Sequence, residues 1–451
     1  MGLILASGAT KPQYPYDQWY GIQGDFLSAD YQFERVGNLD LHRTLPVQKK
    51  LRRFVENPDG SVKYYLNQND SRLKTGGTSA IIDSSDGNVM YEKPEYYMKV
   101  EIEGTKWVRA YSEYPLPGFI KMGRKTCSPW GATIDQLAAK AVSGCFLQWN
   151  GDEIARDENG IVKLTDNAAN CRGGNNDSGK DGTYNSQLGM CRTSQSKDWF
   201  RNYCLNGTHL GFYRIYNEIA WLQRCEYASF YCQDTYTETL TDSGFRQGGL
   251  GAGCSVSGSE WNDWGGYLPF VPCGVTATLG NNTGKVPYVI KGWTGGDKTV
   301  QVTSYRGLEV PFEYIWWMAD DVLIYHSPDS KLSKSTAYLC EDPSKFISPA
   351  DMDTEIPEGY KSITDIPRTS GYVLKESQSE KGCSFPVTTG GSANSGLTDY
   401  FYHPGGSAEG WFGALFGGTA DTGATAGFGY LTTYNRSSLA SAYLGFRLCR
   451  S

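Results

Sequence analysis

The sequence lacks the cysteine and histidine patterns of a metalloprotein. No cysteine occurs before Cys127, and the later cysteines include no CxxC pair and no cysteine–histidine cluster at zinc spacing. In a chain without a signal peptide, scattered cysteines are typical of buried thiols that pack as small hydrophobic side chains. Isolated disulfides remain an alternative if the protein works outside a cell.

Long apolar runs are also absent. The apolar run near the N-terminus is only about four residues long and follows no basic segment, which excludes a standard secretory signal. Ala6 occupies the position where N-myristoylation requires Ser or Thr. No stretch approaches the ~20 apolar residues of a membrane span. We therefore expect no membrane insertion and a protein that is made, or assembled, in a cytoplasm.

Basic charge is scarce and dispersed. The net charge is −7 and the isoelectric point is about 5.3. A chain that binds nucleic acid needs a clustered basic face to neutralise phosphates. The only compact basic run consists of Lys49, Lys50, Arg52 and Arg53, and a solvated strand or turn explains it equally well. We expect no nucleic acid partner.

Motifs of the common catalytic sites are missing. The sequence around Ser255, GCSVSG, has the wrong spacing for a nucleophile elbow. The histidines show no metal or triad spacing. A glycosidase requires two carboxyl groups that face one cleft. Asp320 and Asp321 are adjacent in the sequence, so on a strand their side chains would point to opposite sides. We therefore expect that the protein is not an enzyme.

One polar loop offers oxygen ligands for a cation. Asn175, Asp177 and Asp181 surround Gly179, but their order differs from that of an EF-hand loop. Because this order does not match the EF-hand calcium loop, we predict no cofactor. A structural calcium ion stays an open alternative.

Glycine and aromatic residues are abundant instead. The chain has 54 glycines and 31 tyrosines, and aromatic residues make up 14% of it. This composition, with few long apolar helical stripes, is typical of turn-rich β or α+β structure. A chain of 451 residues can bury a substantial core and has room for about two to four domains.

Turns divide the chain into three expected domains. Residues 1–20 form an arm suited to docking on a partner, residues 21–125 form a β-rich module, and residues 126–451 form a larger domain with long loops. Alternating side chains separated by turn-forming Gly, Asn and Asp predict strands in the module. These strands lie at 61–66, 88–91, 96–102 and 106–111.

Helical spacing of apolar residues occurs after residue 126. It predicts helices at 131–142, 198–204 and 212–230. Strand patterns then recur at 286–290, 298–304, 321–325 and 443–448. Helices placed between groups of strands are typical of the α+β class, which is the fold class that we expect.

The segment 390–449 has the composition of a recognition surface. Aromatic rings give a large contact area at low entropic cost, and neighbouring Ser, Asn and Gly adapt their hydrogen bonds. Within 430–436, alternate side chains of a strand should be buried and exposed, but one sequence leaves the register open. We expect a ligand-binding face within 390–443. Its predicted exposed contacts are Trp411, Thr419, Asp421, Thr433, Tyr434, Asn435, Arg436 and Tyr443.

Several other notable residues are expected to be structural. Arg447 carries five donors that can tie adjacent strands together. Glu226 ends an apolar helix and is expected to be a paired buried carboxylate, because an isolated buried charge is costly. Trp316 and Trp317 are expected in the core, given the area that an indole buries.

Four blocks carry a family resemblance: YRGLE at 305–309, EYASF at 226–230, AGF at 426–428 and LGFRLC at 444–449. Together they resemble blocks of C-type-lectin-like domains of the formylglycine-generating-enzyme-like superfamily, including domains on bacteriophage adsorption proteins. The resemblance implies a C-terminal domain with a few helices and short twisted antiparallel strands. Formylglycine-generating activity needs a reactive cysteine pair near the C-terminus, and Cys449 stands alone there.

Blocks in the N-terminal module extend the resemblance. NLDLH at 38–42, DGNVM at 86–90, PEYY at 94–97 and PGF at 117–119 resemble a region common in tail and fibre proteins of gut phages and prophages. The combined resemblance covers most of residues 20–450. In relatives of this class the C-terminal segment contacts the host receptor, which implies the same role for the face within 390–443.

The resemblance thus implies a virion protein, a tail-fibre or receptor-binding subunit assembled in the cytoplasm of the host bacterium. Its N-terminal region would attach to other virion proteins and its C-terminal face to a bacterial surface receptor, with a glycan as one candidate ligand. Fibre proteins imply a homo-oligomer, with a trimer favoured. The alternatives are a capsid or tail decoration protein with a purely structural role, and an enzyme active on glycans or of the formylglycine-generating type.

Overall fold

Strands dominate the computed structural model, which describes residues 16–28, 30–135, 139–145, 148–149, 152–153, 196–262, 271–293, 296–328, 334–350, 352–378, 383–393, 399–405, 408–436, 439 and 443–450. Strands account for 38% of these described residues and helices for 13%. The described residues contain four α-helices: α1 (Leu39–Thr44), α2 (Lys197–Arg201), α3 (Tyr213–Tyr227) and α4 (Gly258–Asn262). The expected α+β class, with a few helices beside short strands, is therefore wrong, and the fold is β-rich.

The segment 131–142 accounts for part of this error. We predicted a helix there, but the chain forms the hairpin of β10 (Thr133–Asp135) and β11 (Lys140–Val142). The N–H of Ala132 donates to the carbonyl of Phe446, and that of Ala141 donates to the carbonyl of Tyr203. Backbone partners from distant parts of the chain thus outweigh the helix propensity of a short Ala-rich stretch.

The first sheet, the N-terminal sheet, contains two of the four strands predicted in the β-rich module, those at 96–102 and 106–111. Its strands are β1 (Tyr20–Asp25), β2 (Glu34–Gly37), β6 (Tyr96–Glu103), β7 (Lys106–Ser112) and β8 (Ile120–Met122), in the order β2-β1-β7-β6-β8. In β6 the side chains of Tyr96, Met98 and Val100 are buried, while those between them are more exposed. This alternation confirms the predicted strand at 96–102.

A second sheet, the junction sheet, joins the start and the end of the chain. Its strands are β3 (Arg52–Glu56), β4 (Val62–Tyr65), β5 (Val89–Lys93), β9 (Lys125–Cys127), β14 (His209–Leu210) and β27 (Leu448–Arg450), in the order β14-β27-β9-β5-β3-β4. Cys127 of β9 pairs with Tyr91 of β5 on one side and with Cys449 of β27 on the other. The expected domain boundary between residues 125 and 126 lies inside β9.

Helix α3 lies between the N-terminal sheet and the last sheet of the chain, and the predicted helix at 212–230 is confirmed. Its Trp221 ring packs edge-on against Trp107 of β7 at 5.6 Å, and its Tyr216 ring lies 4.2 Å from Phe416. Every residue of α3 is buried, so its charges need partners. These are Glu341 for Arg214, Lys93 and Lys125 for Glu218, Glu376 for Arg224, and Arg306 for Glu226.

The YRGLE block links a third sheet to this helix. The sheet consists of β15 (Gly284–Trp293), β16 (Gly296–Tyr305) and β17 (Leu308–Glu309). The guanidinium of Arg306 binds both carboxylate oxygens of Glu226, at 2.6 and 2.8 Å, and the Tyr305 hydroxyl donates to the same carboxylate. The prediction of a paired, structural Glu226 is confirmed.

Arg447 attaches the C-terminal strand to the residues that follow the YRGLE block. Its guanidinium donates to the carbonyls of Ser128 and Val310 and lies 4.2 Å above the ring of Trp317. Its predicted scaffold role is therefore confirmed. Trp317 is in the core as expected, whereas Trp316 is only partly buried.

The last sheet, the large sheet, forms the C-terminal part of the fold. Its strands are β18 (Trp316–His326), β19 (Lys334–Cys340), β20 (Tyr360–Pro367), β21 (Gly371–Glu376), β22 (Pro386–Thr389), β23 (Tyr400–Tyr402), β24 (Gly410–Phe416), β25 (Leu431–Thr432) and β26 (Leu444–Gly445). They follow the order β20-β19-β18-β24-β25-β23-β21-β22, with β26 beside β18. Ile324, Phe401, Phe412, Phe416 and Leu431 face the core that contains α3.

Two short strands, β12 (Gln148–Trp149) and β13 (Asp152–Glu153), form a separate hairpin. In the part of the chain that the structure describes, no helix is long and apolar enough to cross a membrane. Most of the N-terminal arm, residues 1–15, lies outside the described residues, as does the candidate calcium loop with Asn175, Asp177 and Asp181. Within the described ranges no group of three or more His, Cys, Asp and Glu side chains is placed to hold a metal ion.

Candidate functional site

The large sheet has one face in the core and another that is rich in tyrosine. In β23, Phe401 is fully buried in the core, so Tyr400 and Tyr402 point to the opposite side. Tyr372 of β21 is paired directly with Tyr400, and their rings pack edge-on at 5.3 Å. Residues paired across strands share a face, so Tyr372 belongs to the same surface.

The same face continues over β18 and β19. Ile324 and Ala337 are paired and buried, so their neighbours Tyr325 and Tyr338 lie on the outer side. Trp411 of β24 is paired with Tyr325, and its ring lies 4.9 Å from Tyr325 and 5.1 Å from Tyr338. The outer surface formed by Tyr325, Tyr338, Tyr372, Tyr400, Tyr402 and Tyr434 is called the tyrosine face below.

Tyr402 and Tyr434 are the most exposed members of this face. Tyr402 is 43% exposed and Tyr434 is 52% exposed, and their rings meet edge-on at 5.6 Å. Two adjoining rings of this kind present a broad amphipathic area that loses little conformational entropy when another molecule covers it. Of the six tyrosines of the face, these two therefore offer a ligand the most exposed side-chain surface.

Backbone hydrogen bonds hold the exposed pair on the sheet. The N–H of Thr433 donates to the carbonyl of Tyr402 at 2.9 Å, and the N–H of Gly413 donates to the carbonyl of Asn435 at 2.9 Å. Arg436 donates to the carbonyls of Glu409 and Trp411. The segment that carries Tyr434 is therefore attached both to β23 and to β24, which makes the pair part of a rigid support.

A buried cluster of two histidines and a serine reinforces this attachment from the core side. Nε2 of His326 lies 3.1 Å from the carbonyl oxygen of Thr433, and Nδ1 lies 2.5 Å from the Ser335 hydroxyl. Because a carbonyl can only accept, Nε2 carries the proton and the hydroxyl donates to Nδ1. Nδ1 of His403 accepts from the N–H of Gly405, so its Nε2–H points at Ser335. Both rings are thus satisfied in the neutral form.

Burial keeps these histidines neutral. Burial lowers the pKa of His326 to about 3, and the neighbouring His403, Arg368 and Arg436 act in the same direction. Burial and Arg368 lower the pKa of His403 to about 4. The Ser335 hydroxyl is buried as well, with 1% of the residue exposed. The cluster therefore joins β18 and β19 to the segments after β23 and β25 and does not present a nucleophile to solvent.

The predicted contact residues divide between core and surface. Exposure was predicted wrongly for Trp411, Thr419 and Thr433, which are all buried. Thr433 has the same parity as the core residue Leu431, and Thr419 donates its hydroxyl to Asp421 in a turn. Trp411 shares the outer side with Tyr325 and Tyr338, and its ring packs against both. Among the other predicted contacts, Asp421 and Tyr434 are exposed, and Asn435, Arg436 and Tyr443 are partly exposed.

Sequence reasoning missed the half of the face that precedes residue 390. Tyr325, Tyr338 and Tyr372 belong to strands far from the C-terminal segment and reach the face only through strand pairing. The alternation around Tyr325 in the predicted strand at 321–325 was a usable signal. It identified an outer side chain but not its neighbours.

The adjacent acids of β18 lie away from this surface and contact different elements. Asp320 accepts from the guanidinium of Arg201, at 2.9 and 2.5 Å. Asp321 accepts from the backbone N–H groups of Tyr213 and Arg214 at the start of α3, and burial raises its pKa to about 6. Both carboxyls are buried and engaged in the scaffold.

Comparison with known proteins gives no family for the chain. No protein-family model matches it, and no curated protein matches it. The geometry of the tyrosine face and the sequence blocks described above are therefore the basis for any functional argument.

Proposed function

We propose that the chain is a binding protein, a virion adhesin of the tail-fibre or receptor-binding kind, whose tyrosine face attaches to a ligand on a bacterial surface. The observation that carries the proposal is the exposed Tyr402–Tyr434 pair on a support fixed from both sides. Large exposed aromatic patches on a folded protein mark sites of interaction. Rigid tyrosine rings also give a large contact area at low entropic cost, which is the property that a binding surface needs.

A glycan is the ligand class that suits this face. Ring faces can cover the C–H surface of a sugar, while polar groups beside them fix its hydroxyls. The carboxylate of Asp421 is exposed, and Thr336 beside Tyr325 and Tyr338 donates its hydroxyl to Asp365 at 3.2 Å. Only two of the six tyrosines, Tyr402 and Tyr434, are exposed, so one contact would be weak. Several copies on one particle would raise the avidity through effective concentration.

The virion setting rests on the resemblance of the sequence blocks to tail and fibre proteins. Under this proposal the N-terminal region attaches to other virion proteins, the protein assembles in the host cytoplasm, and a homotrimer presents three tyrosine faces. A decoration protein with a purely structural role would use the same face to pack on its neighbours. The two roles differ in whether the face stays open on the particle.

The test replaces both exposed rings in the double variant Tyr402→Ala/Tyr434→Ala. We expect its binding to a panel of bacterial cells and isolated surface glycans to weaken at least about tenfold, because rings at the centre of a site carry most of the affinity. Tyr114→Ala is the matched control, since Tyr114 is 54% exposed in the bend after β7 and is not part of the face. Thermal unfolding should be similar for both variants.

Two outcomes would contradict the proposal. Unchanged binding by the double variant would remove the tyrosine face from the adhesive role. A particle in which the face is covered by neighbouring subunits, and in which the double variant fails to assemble, would favour the structural role.

A further inference from the structure

We propose that a cleft between the N-terminal sheet and β21 is a second ligand site, shaped for a neutral mono- or disaccharide. The cleft has a volume of about 330 Å³, at the lower end of the ~300–1,000 Å³ range of small-molecule sites. None of its lining residues belongs to the tyrosine face. The inference holds whether or not that face binds a bacterial surface.

The floor of the cleft is aromatic and rigid. Phe33 packs edge-on against Trp107 at 5.2 Å and against Phe230 at 4.3 Å. The indole of Trp107 lies directly on Gly24, where even a Cβ atom would overlap it. Trp107 and Phe230 are buried, whereas Phe33 is only partly buried and is the ring nearest to solvent. Such a floor offers an apolar surface to the C–H groups of a ligand.

The rim of the cleft mixes hydrogen-bond donors and acceptors. The amide of Gln23 donates to Glu34 at 3.1 Å, and a carboxylate oxygen of Asp25 accepts from the N–H of Leu27 at 2.9 Å. Gln32 and Asp30 line the same rim and are exposed. Amides and carboxylates placed beside an aromatic floor can accept from and donate to hydroxyl groups on one edge of a sugar ring.

The charges around the cleft nearly cancel. Asp25, Asp30 and Glu34 are accompanied by Lys106 and Lys375, and the Lys375 ammonium lies 5.5 Å from the centre of the Phe26 ring. A fourth carboxylate, that of Glu376, is buried and already paired with Arg224 at 2.8 and 3.2 Å. A site for a cation or an anion would show one dominant sign. The balance of charges therefore favours an uncharged ligand with many hydroxyls.

The test measures saturation-transfer NMR between the full chain and methyl glycosides of glucose, galactose, mannose and N-acetylglucosamine, together with the disaccharides lactose and maltose. We expect transfer to at least one of these probes. Two cleft variants, Phe26→Ala and Asp30→Asn, should weaken its binding by about tenfold or more. Both residues are at least partly exposed, so the variants are expected to fold.

Tyr114→Ala is the control, because Tyr114 is exposed and lies outside both the cleft and the tyrosine face, and we expect it to bind the probe as the unmodified chain does. No transfer to any probe would overturn the inference. Transfer that persists in both cleft variants, or that disappears only in the tyrosine double variant, would place sugar binding elsewhere. Stronger binding of trilysine than of every sugar would also overturn it, because the cleft would then select charge.

Discussion

The buried histidine cluster predicts a specific loss of stability in acid. In the unfolded chain His326 has an ordinary pKa of 6.5, whereas burial lowers its pKa in the folded protein to about 3. Between these values the unfolded state binds a proton that the folded state does not. The stabilisation is therefore complete above pH 6.5 and falls as the pH drops towards 3.

The size of the effect follows from proton linkage. Each pH unit below 6.5 costs about 1.4 kcal/mol for one group, so His326 alone should remove about 3 kcal/mol of stability between pH 7 and pH 4. This is a large share of the ~5–15 kcal/mol that stabilises a typical domain. Protonation would also place a hydrogen on Nδ1 of His326, so the Ser335 hydroxyl could no longer donate to it and the cluster would have to rearrange.

The assay is chemical denaturation at pH 7 and pH 4 for the unmodified chain, His326→Gln and His209→Gln. We expect His326→Gln to be less stable at pH 7 but to lose about 3 kcal/mol less on acidification. His209 is outside the cluster and only partly buried, so its variant should keep most of the original pH dependence. Protonation of carboxylates affects all three proteins alike. An equal pH dependence in His326→Gln and the unmodified chain would refute the argument.

Two further substitutions, with one control, test the scaffold around α3. Glu226→Gln leaves the Arg306 guanidinium buried without its carboxylate and should lower the free energy of unfolding by about 3–5 kcal/mol, measured by chemical denaturation. The control Glu358→Gln breaks the exposed pair with Lys345 and should lower it by less than about 1 kcal/mol. Equal losses of stability in the two variants would contradict this prediction. Burial raises the pKa of Asp399 to about 7, so its stabilisation is complete below pH 3.8 and is lost as the pH rises through 7. Asp399→Asn should therefore flatten the fall in stability that this carboxyl causes between pH 4 and pH 7, and an unchanged pH dependence in that range would show that other groups cause it.

Local patterns predicted several elements correctly. The alternation in β6 and the helical spacing in α3 each lie within one continuous segment, and burial of one face or of the whole element is enough to specify them. The scaffold role of Arg447 followed from its donors, because one guanidinium offers five N–H groups that can tie adjacent strands together. Composition also indicated that tyrosine would provide the exposed surface.

The predictions that were wrong concern segments whose structure depends on residues distant in the sequence. The helix expected at 131–142 is a hairpin because backbone groups of Tyr203 and Phe446 accept its N–H groups. The predicted α+β class contained more helix than the observed β-rich fold for the same reason. A short apolar segment can form either a helix or a strand, and its tertiary partners decide between them. Trp411 is recognisable as aromatic in the sequence, but only its pairing with Tyr325 buries it.

The amino-acid sequence by itself determined that aromatic side chains alternate with small polar ones near the C-terminus, and that some of them must face outward. The tertiary structure alone decided which ones. Strand register sets the parity of every side chain, and a shift by one residue would exchange Tyr434 with the buried Thr433. That register comes from hydrogen bonds to β23, β24 and His326, which are separated from Tyr434 by between about twenty and about a hundred residues.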